Sequence, residues 1–188
     1  MHLASILEKQ NGQNITKLIV DDNDFTSKAG EYIGEALAGN PTYPIKKLSF
    51  KNINLEMIGL TRVIEACNLN TNVKRLHIGV LTDEGLQALA TLLASNESLE
   101  QLTFEETKDH QKYWTTAGKA ALVSMLKNGT KLMDVEMSFT RDKTSEDEEF
   151  VNEITFYTGI KSQKQNKMED YRNILRSCDP AQMFGNLQ

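Results

Sequence analysis

The sequence predicts an α/β repeat fold: a right-handed, horseshoe-shaped solenoid with parallel strands on its concave face, helices on its convex face and a capping helix at its C-terminal end. Three observations predict it. An apolar-x-x-apolar-x-apolar pattern occurs five times, at Ile15-Leu18-Val20, Ile45-Leu48-Phe50, Val73-Leu76-Ile78, Leu99-Leu102-Phe104 and Leu132-Val135-Met137, and the starts are separated by 30, 28, 26 and 33 residues. A stretch of helical periodicity follows each of the first four. After Met137 the pattern stops and only helical periodicity continues. Near-constant spacing of this kind marks a repeat architecture, in which one unit cannot bury its apolar face alone and stacking makes the core continuous.

The four helical stretches carry apolar residues on one face. Ala29, Ile33, Ala36 and Leu37 recur at i, i+4, i+7 and i+8, and Leu60, Val63, Ile64 and Cys67 at i, i+3, i+4 and i+7. Leu86, Leu89, Leu92 and Leu93 follow nearly the same spacing, as do Ala121, Leu122, Met125 and Leu126. A glycine opens each stretch (Gly30, Gly59, Gly85, Gly118), as expected where helices pack closely. An asparagine ends each (Asn40, Asn70, Asn96, Asn128), suited to the turn into the next strand. A doubly wound sheet would need longer continuous apolar strands and a glycine-rich phosphate loop, and neither is present.

The ends depart from the repeat, as ends that face water must. Leu3, Ile6 and Leu7 read as the tail of a helix over the first strand. Thr140 to Ser145 reads as a polar, mobile connection. Ser145-Glu146-Asp147-Glu148 reads as a capping box with an acidic first turn. Phe150, Val151, Ile154 and Tyr157 then form an apolar face over the last strand, and Met168, Tyr171, Ile174 and Leu175 a final helix stopped at Asp179-Pro180. The organisation expected is one domain over 1–188: an N-terminal helical cap at 1–14, five strand-bearing repeats at 15–139 with the last incomplete, and a C-terminal helical cap and tail at 140–188.

Composition narrows the function. The chain has 188 residues, 39% hydrophobic and 25% charged, with a net charge of −5, a globular and mildly acidic balance that does not point to nucleic acid. No apolar run approaches the ~18 residues of a membrane span. The opening Met1–Leu7 lacks a basic region and a long enough apolar stretch for a signal peptide, and Cys67 and Cys178 form no disulfide framework, so a cytoplasmic monomer is expected. His2, His77 and His110 show no metal spacing, and no nucleophile elbow, zinc-protease motif or phosphate loop occurs. No catalytic, cofactor-binding or metal-ligating residue is assigned, and no cofactor is expected. Tyr113 and Trp114 lie in a polar insertion, Glu105 to Thr116, as packing residues or as partner anchors.

The strand positions between the apolar ones face outward. Lys17, Lys47, Arg75, Gln101 and Asp134 occupy equivalent places, with Thr16, Lys46, Lys74, Glu100 and Met133 beside them and Asp21, Lys51, Gly79, Glu105 and Ser138 in a third row. The N-terminal part of this surface is basic and the C-terminal part acidic. Either the long side chains simply splay into solvent, or Lys17, Lys46, Lys47, Lys51, Lys74, Arg75, Glu100 and Glu105 form a concave protein-docking surface.

The repeat resembles the leucine-rich repeat of the ribonuclease-inhibitor class. The insertion in repeat four, the helix end Met125-Leu126-Lys127-Asn128 and the segment Lys131–Thr140, followed by a helix with no further repeat, resemble the C-terminal half of the tropomodulin and leiomodin family, from about Leu3 to Lys164. The resemblance implies a non-catalytic protein-interaction domain whose partner is actin at the filament pointed end. The alternative is a leucine-rich-repeat module with another protein partner, as an inhibitor or as a bacterial effector holding a host protein. No individual partner contact is carried over.

Overall fold

The computed structural model describes residues 14–23, 27–109, 111, 113–128 and 130–177, with backbone alone for 27 and 171–177. Strand and helix alternate in the order β1 (Lys17–Ile19), α1 (Ser27–Ala38), β2 (Lys47–Ser49), α2 (Glu56–Leu69), β3 (Arg75–Leu81), α3 (Asp83–Leu93), β4 (Gln101–Glu106), α4 (Thr116–Lys127), β5 (Asp134–Ser138) and α5 (Ser145–Ser177). The five strands form one open parallel sheet in sequence order, β1-β2-β3-β4-β5. This is the fold class expected from the repeat. The N-terminal cap proposed around Leu3, Ile6 and Leu7 lies outside the described residues, as does the stop at Asp179-Pro180.

Stacking buries the repeat positions. Leu18, Leu48, Leu76 and Leu102 stand in register and are buried, with Val135 half-buried at the end of the row. Val20, Phe50, Ile78 and Phe104 add a second buried layer. The expected inward faces of the helices are buried, apart from the half-buried Ala29, Leu92 and Ala121. Gly30 shows why a glycine sits near a helix start: a Cβ there would lie 2.8 Å from Gly59 Cα on the next helix. Helices α3 and α4 are capped by Thr82 and Thr115, whose hydroxyls accept the amides of Gly85 at 3.2 Å and Gly118 at 3.5 Å. Asp83, in the first turn of α3, accepts Thr115 N at 2.7 Å and so joins the starts of the two helices.

Two of the asparagine turns are fastened to the preceding repeat. Buried Asn70 donates to Tyr43 O at 3.2 Å and accepts Asn72 N at 3.0 Å. Buried Asn96 donates to Cys67 O at 3.3 Å and to Asn68 Oδ1 at 2.7 Å, and accepts the amides of Ser98 and Leu99 at 3.0 and 2.7 Å. These side chains supply turn hydrogen bonds that a stacked backbone would otherwise lack.

The sheet departs from the expected register at one point. Gly79 does not face Glu105, because the pairing shifts between His77 and Val80 and sets Val80 opposite Glu105. The cause is a bulge at Gly79, whose φ is +81°. A Cβ there would run into Phe50 O and Ile53 O.

The C-terminal cap differs from expectation in two respects. It is one helix of 33 residues rather than two, since no proline lies between Tyr157 and Met168 and the helix runs on through Gly159. The capping box is shifted by one residue: Thr144 Oγ1 accepts Asp147 N at 3.3 Å, while Asp147 Oδ2 accepts Thr144 N at 2.8 Å. Within the polar connection 140–145, Thr140, Arg141 and Thr144 are held by hydrogen bonds. Thr140 donates to Thr107 O at 2.8 Å, and Arg141 bridges Asp147 at 2.6 Å and Glu106 at 3.3 Å. Lys119 of α4 completes the cluster at 2.5 Å from Asp147. Asp147 and Glu106 are fully buried and Lys119 is 7% exposed. Phe150 and Ile154 cover the last repeat as expected, with Val151 half-buried beside them. Trp114 serves as a packing residue: it is buried, its Nε1 donates to Leu81 O at 3.1 Å, and its ring meets Phe104 and Phe139 edge-on at 5.3 Å.

Burial acts most strongly on the Asp147 carboxyl and would raise its pKa, but hydrogen bonds from Arg141, Lys119 and Thr144 outweigh it and hold the group well below the usual carboxylate range. A depressed folded-state pKa contributes stability that is present above the unfolded value near ~4 and lost as pH falls towards the folded one. Asp147→Asn is therefore expected to cost about 3 kcal/mol at neutral pH, by leaving Lys119 and Arg141 uncompensated. The difference from wild type should shrink as denaturant unfolding is repeated below pH ~4, and a gap independent of pH would contradict the assignment. Gly79→Ala should cost about 2 kcal/mol or more by the same measurement, because alanine must adopt φ > 0 and intrude on two carbonyls.

Candidate protein-binding face

The parallel register builds the exposed strand face in rows. Lys17, Lys47, Arg75, Gln101 and Asp134 are direct neighbours across the five strands. Thr16, Lys46, Lys74, Glu100 and Met133 form the row beside them, linked by amide-to-carbonyl bonds of 2.8, 3.0, 2.9 and 2.9 Å. The structure thus brings together Lys17, Lys47 and Arg75 in one line and Lys46, Lys74 and Glu100 in the next. Lys51 stands apart on the turn after β2, where its amide is accepted by Asp21 Oδ1 at 2.9 Å. Glu105 is two strands away, beyond Val80.

These charges are not equivalent. Lys74 lies 3.9 Å from Glu100 and donates to Ser98 O at 3.2 Å, so its charge is partly engaged. Lys17, Lys46, Lys47, Lys51 and Arg75 have no ion-pair partner among the described residues. Asp134 accepts Gln101 Nε2 at 3.2 Å. Three like charges in adjacent strands, ~4.8 Å apart, repel one another in the folded chain and gain nothing from it.

A further row lies two residues along each strand: Ile19, Ser49, His77, Thr103 and Glu136. It lies outside the rows expected from the sequence, although strict period-two alternation from Lys17 points to it. Its residues complete a groove across β2 to β5, lined by Lys47, Arg75, Leu76, His77, Gln101, Thr103, Asp134 and Glu136. Ile19, 54% exposed, lies at the N-terminal edge of the row. His77 Nε2 is 3.4 Å from Glu105 Oε1 but makes no hydrogen bond. Ser49, beside His77, is buried and its Oγ has no hydrogen-bond partner. A serine, a histidine and a carboxylate thus fall close together, but the serine is not joined to the histidine as a nucleophile is to its base. Cys67, on the inner face of α2, is buried, and burial pushes its thiol up to about 12, which leaves it a packing residue.

Fold and face together define a class: a stack of strand–helix repeats with an open parallel sheet that presents a charged, grooved surface. Among solved structures the chain is similar to one titled "Leiomodin-1 Actin-Binding Site 2 (ABS2)", with a TM-score of 0.70 and 17% identity over 91% of this chain and 95% of that one. It is also similar to the tropomodulin C-terminal domain of Caenorhabditis elegans, with a TM-score of 0.62 and 16% identity over 87% of this chain and 95% of that one. The fold is therefore that of the tropomodulin and leiomodin C-terminal domain, as the sequence resemblance implied. No family model and no curated protein matches the sequence. No described helix is long and apolar enough to cross a membrane.

If the cation row is a liability to the fold, relieving it should stabilise the chain. Lys47→Gln is expected to raise the unfolding free energy by about 0.2–0.5 kcal/mol at low ionic strength. The gain should fade in high salt as the repulsion is screened. A loss of stability on neutralisation would show that Lys47 has a structural role.

Proposed function

We propose that this chain is a non-catalytic protein-binding domain of the leucine-rich-repeat type, whose partner is actin at the filament pointed end. The observation that carries this reading is the likeness, over nine-tenths of the chain, to a domain named for actin binding. The strand face supplies the contact surface, through Lys17, Lys46, Lys47, Lys51, Lys74 and Arg75, with Glu100 and Glu105 at its acidic end. Unpaired cations held side by side suit an acidic protein surface such as that of actin, by charge complementarity.

Pointed-end elongation with the domain titrated in, paired with direct co-sedimentation, tests this. Wild type should slow elongation at micromolar concentration. The double variant K47E/R75E should bind about tenfold more weakly at low salt and with a shallower salt dependence, since exposed charges are screened within ~8–10 Å. Its fold should survive, because neither side chain belongs to the core. Absence of binding in both assays would remove actin as the partner.

A further inference from the structure

We propose that the groove across β2 to β5 holds a partner segment of mixed charge, acidic where it lies over Lys47 and Arg75 and basic where it lies over Asp134 and Glu136. This rests on the strand face being the partner-binding surface and adds the chemistry and polarity of what binds there. Lys47, Arg75 and Asp134 share one registered row, and Glu136 sits two residues beyond Asp134 on the same face. Lys47, Arg75 and Glu136 have no ion-pair partner among the described residues, and Asp134 meets the uncharged Gln101.

No ion pair joins the two ends among the described residues. Arg75 and Asp134 are two strand steps apart and Lys47 and Asp134 three, so at ~4.8 Å per step their backbone positions stand ~10–14 Å apart. Between them the floor is uncharged, with Gln101 and Thr103. Opposite charges at neighbouring strand positions stabilise a sheet, as Lys74 and Glu100 can in the row beside it, but this row keeps its own separated. A uniformly acidic partner would be repelled at Asp134 and Glu136, and a uniformly basic one at Lys47 and Arg75. A segment crossing the strands in extended form rises ~3.3 Å per residue. An acidic and a basic residue three or four positions apart therefore match both ends.

The test uses the full chain and three fluorescent peptides of equal length. One carries a glutamate pair, a neutral spacer of about three residues and a lysine pair; the others carry glutamates at both ends or lysines at both ends. In fluorescence anisotropy the mixed peptide should bind about tenfold tighter than either uniform one, by complementarity at both ends. The variant D134K/E136K should shift the preference to the all-glutamate peptide. The fourfold exchange K47E/R75E/D134K/E136K should restore the preference for the mixed peptide with its direction reversed, read by a spin label on the glutamate end. Circular dichroism of each variant verifies the fold. A mixed peptide that binds wild type no tighter than the all-glutamate peptide overturns the proposal. In that event, retained actin co-sedimentation would leave the strand-face reading standing, and its loss would remove both.

Discussion

Stacking at constant register is the constraint on which the rest of this structure depends. Each repeat has one apolar face, and the leucine row Leu18, Leu48, Leu76 and Leu102 becomes dry only because each residue lies against its counterpart in the next repeat. The close approach of Gly30 to Gly59 lets neighbouring helices follow the strand spacing. Buried Asn70 and Asn96 bind their own turns to the preceding repeat. The same register acts on the outer face. Whatever residue type occupies an outward strand position is set ~4.8 Å from its equivalent in the next repeat. Lysine after lysine at such a position is therefore an electrostatic cost repeated along the row.

A stack also needs ends, and the C-terminal end is closed partly by charge. Asp147 receives Thr144 N, Thr144 Oγ1, Arg141 and Lys119, which offsets the removal of a carboxylate from water. Arg141 carries the network to Glu106, which also accepts Trp114 N at 3.1 Å. Four segments that apolar packing alone would align loosely are thereby joined: the end of β4, the insertion at Trp114, α4 and the start of α5. Pairing by direction and distance selects one docking angle for the cap, whereas burial of Phe150 and Ile154 is largely non-directional.

The likeness in fold to the leiomodin and tropomodulin domains at 16–17% identity shows how far fold and surface separate. The repeat constrains the inward positions and leaves the outward ones free, so function must be sought in the outward rows of this chain. Those rows are polarised, with unpaired cations over β1 to β3 and carboxylates over β5. A surface whose signs are segregated distinguishes the orientation of a partner as well as its charge.

The sequence by itself determined the repeat, the five strands, the four inter-strand helices and the rows Lys17–Asp134 and Thr16–Met133. These follow from local periodicity and near-equal spacing, which register carries into three dimensions without further information. The Ile19–Glu136 row follows from the same period-two alternation. Other features were settled only by tertiary structure. The bulge at Gly79 depends on the carbonyls of Phe50 and Ile53, more than twenty residues earlier in the chain. The shifted capping box and the anchored Arg141 depend on Lys119 and Glu106, which no local pattern associates with Asp147. Trp114 could have been an anchor for a partner or part of the core until Leu81 O and two aromatic rings enclosed it. Periodicity encodes which face a side chain takes; the partner of a buried polar group is set by which distant segments meet there, and so appears only when the chain is folded.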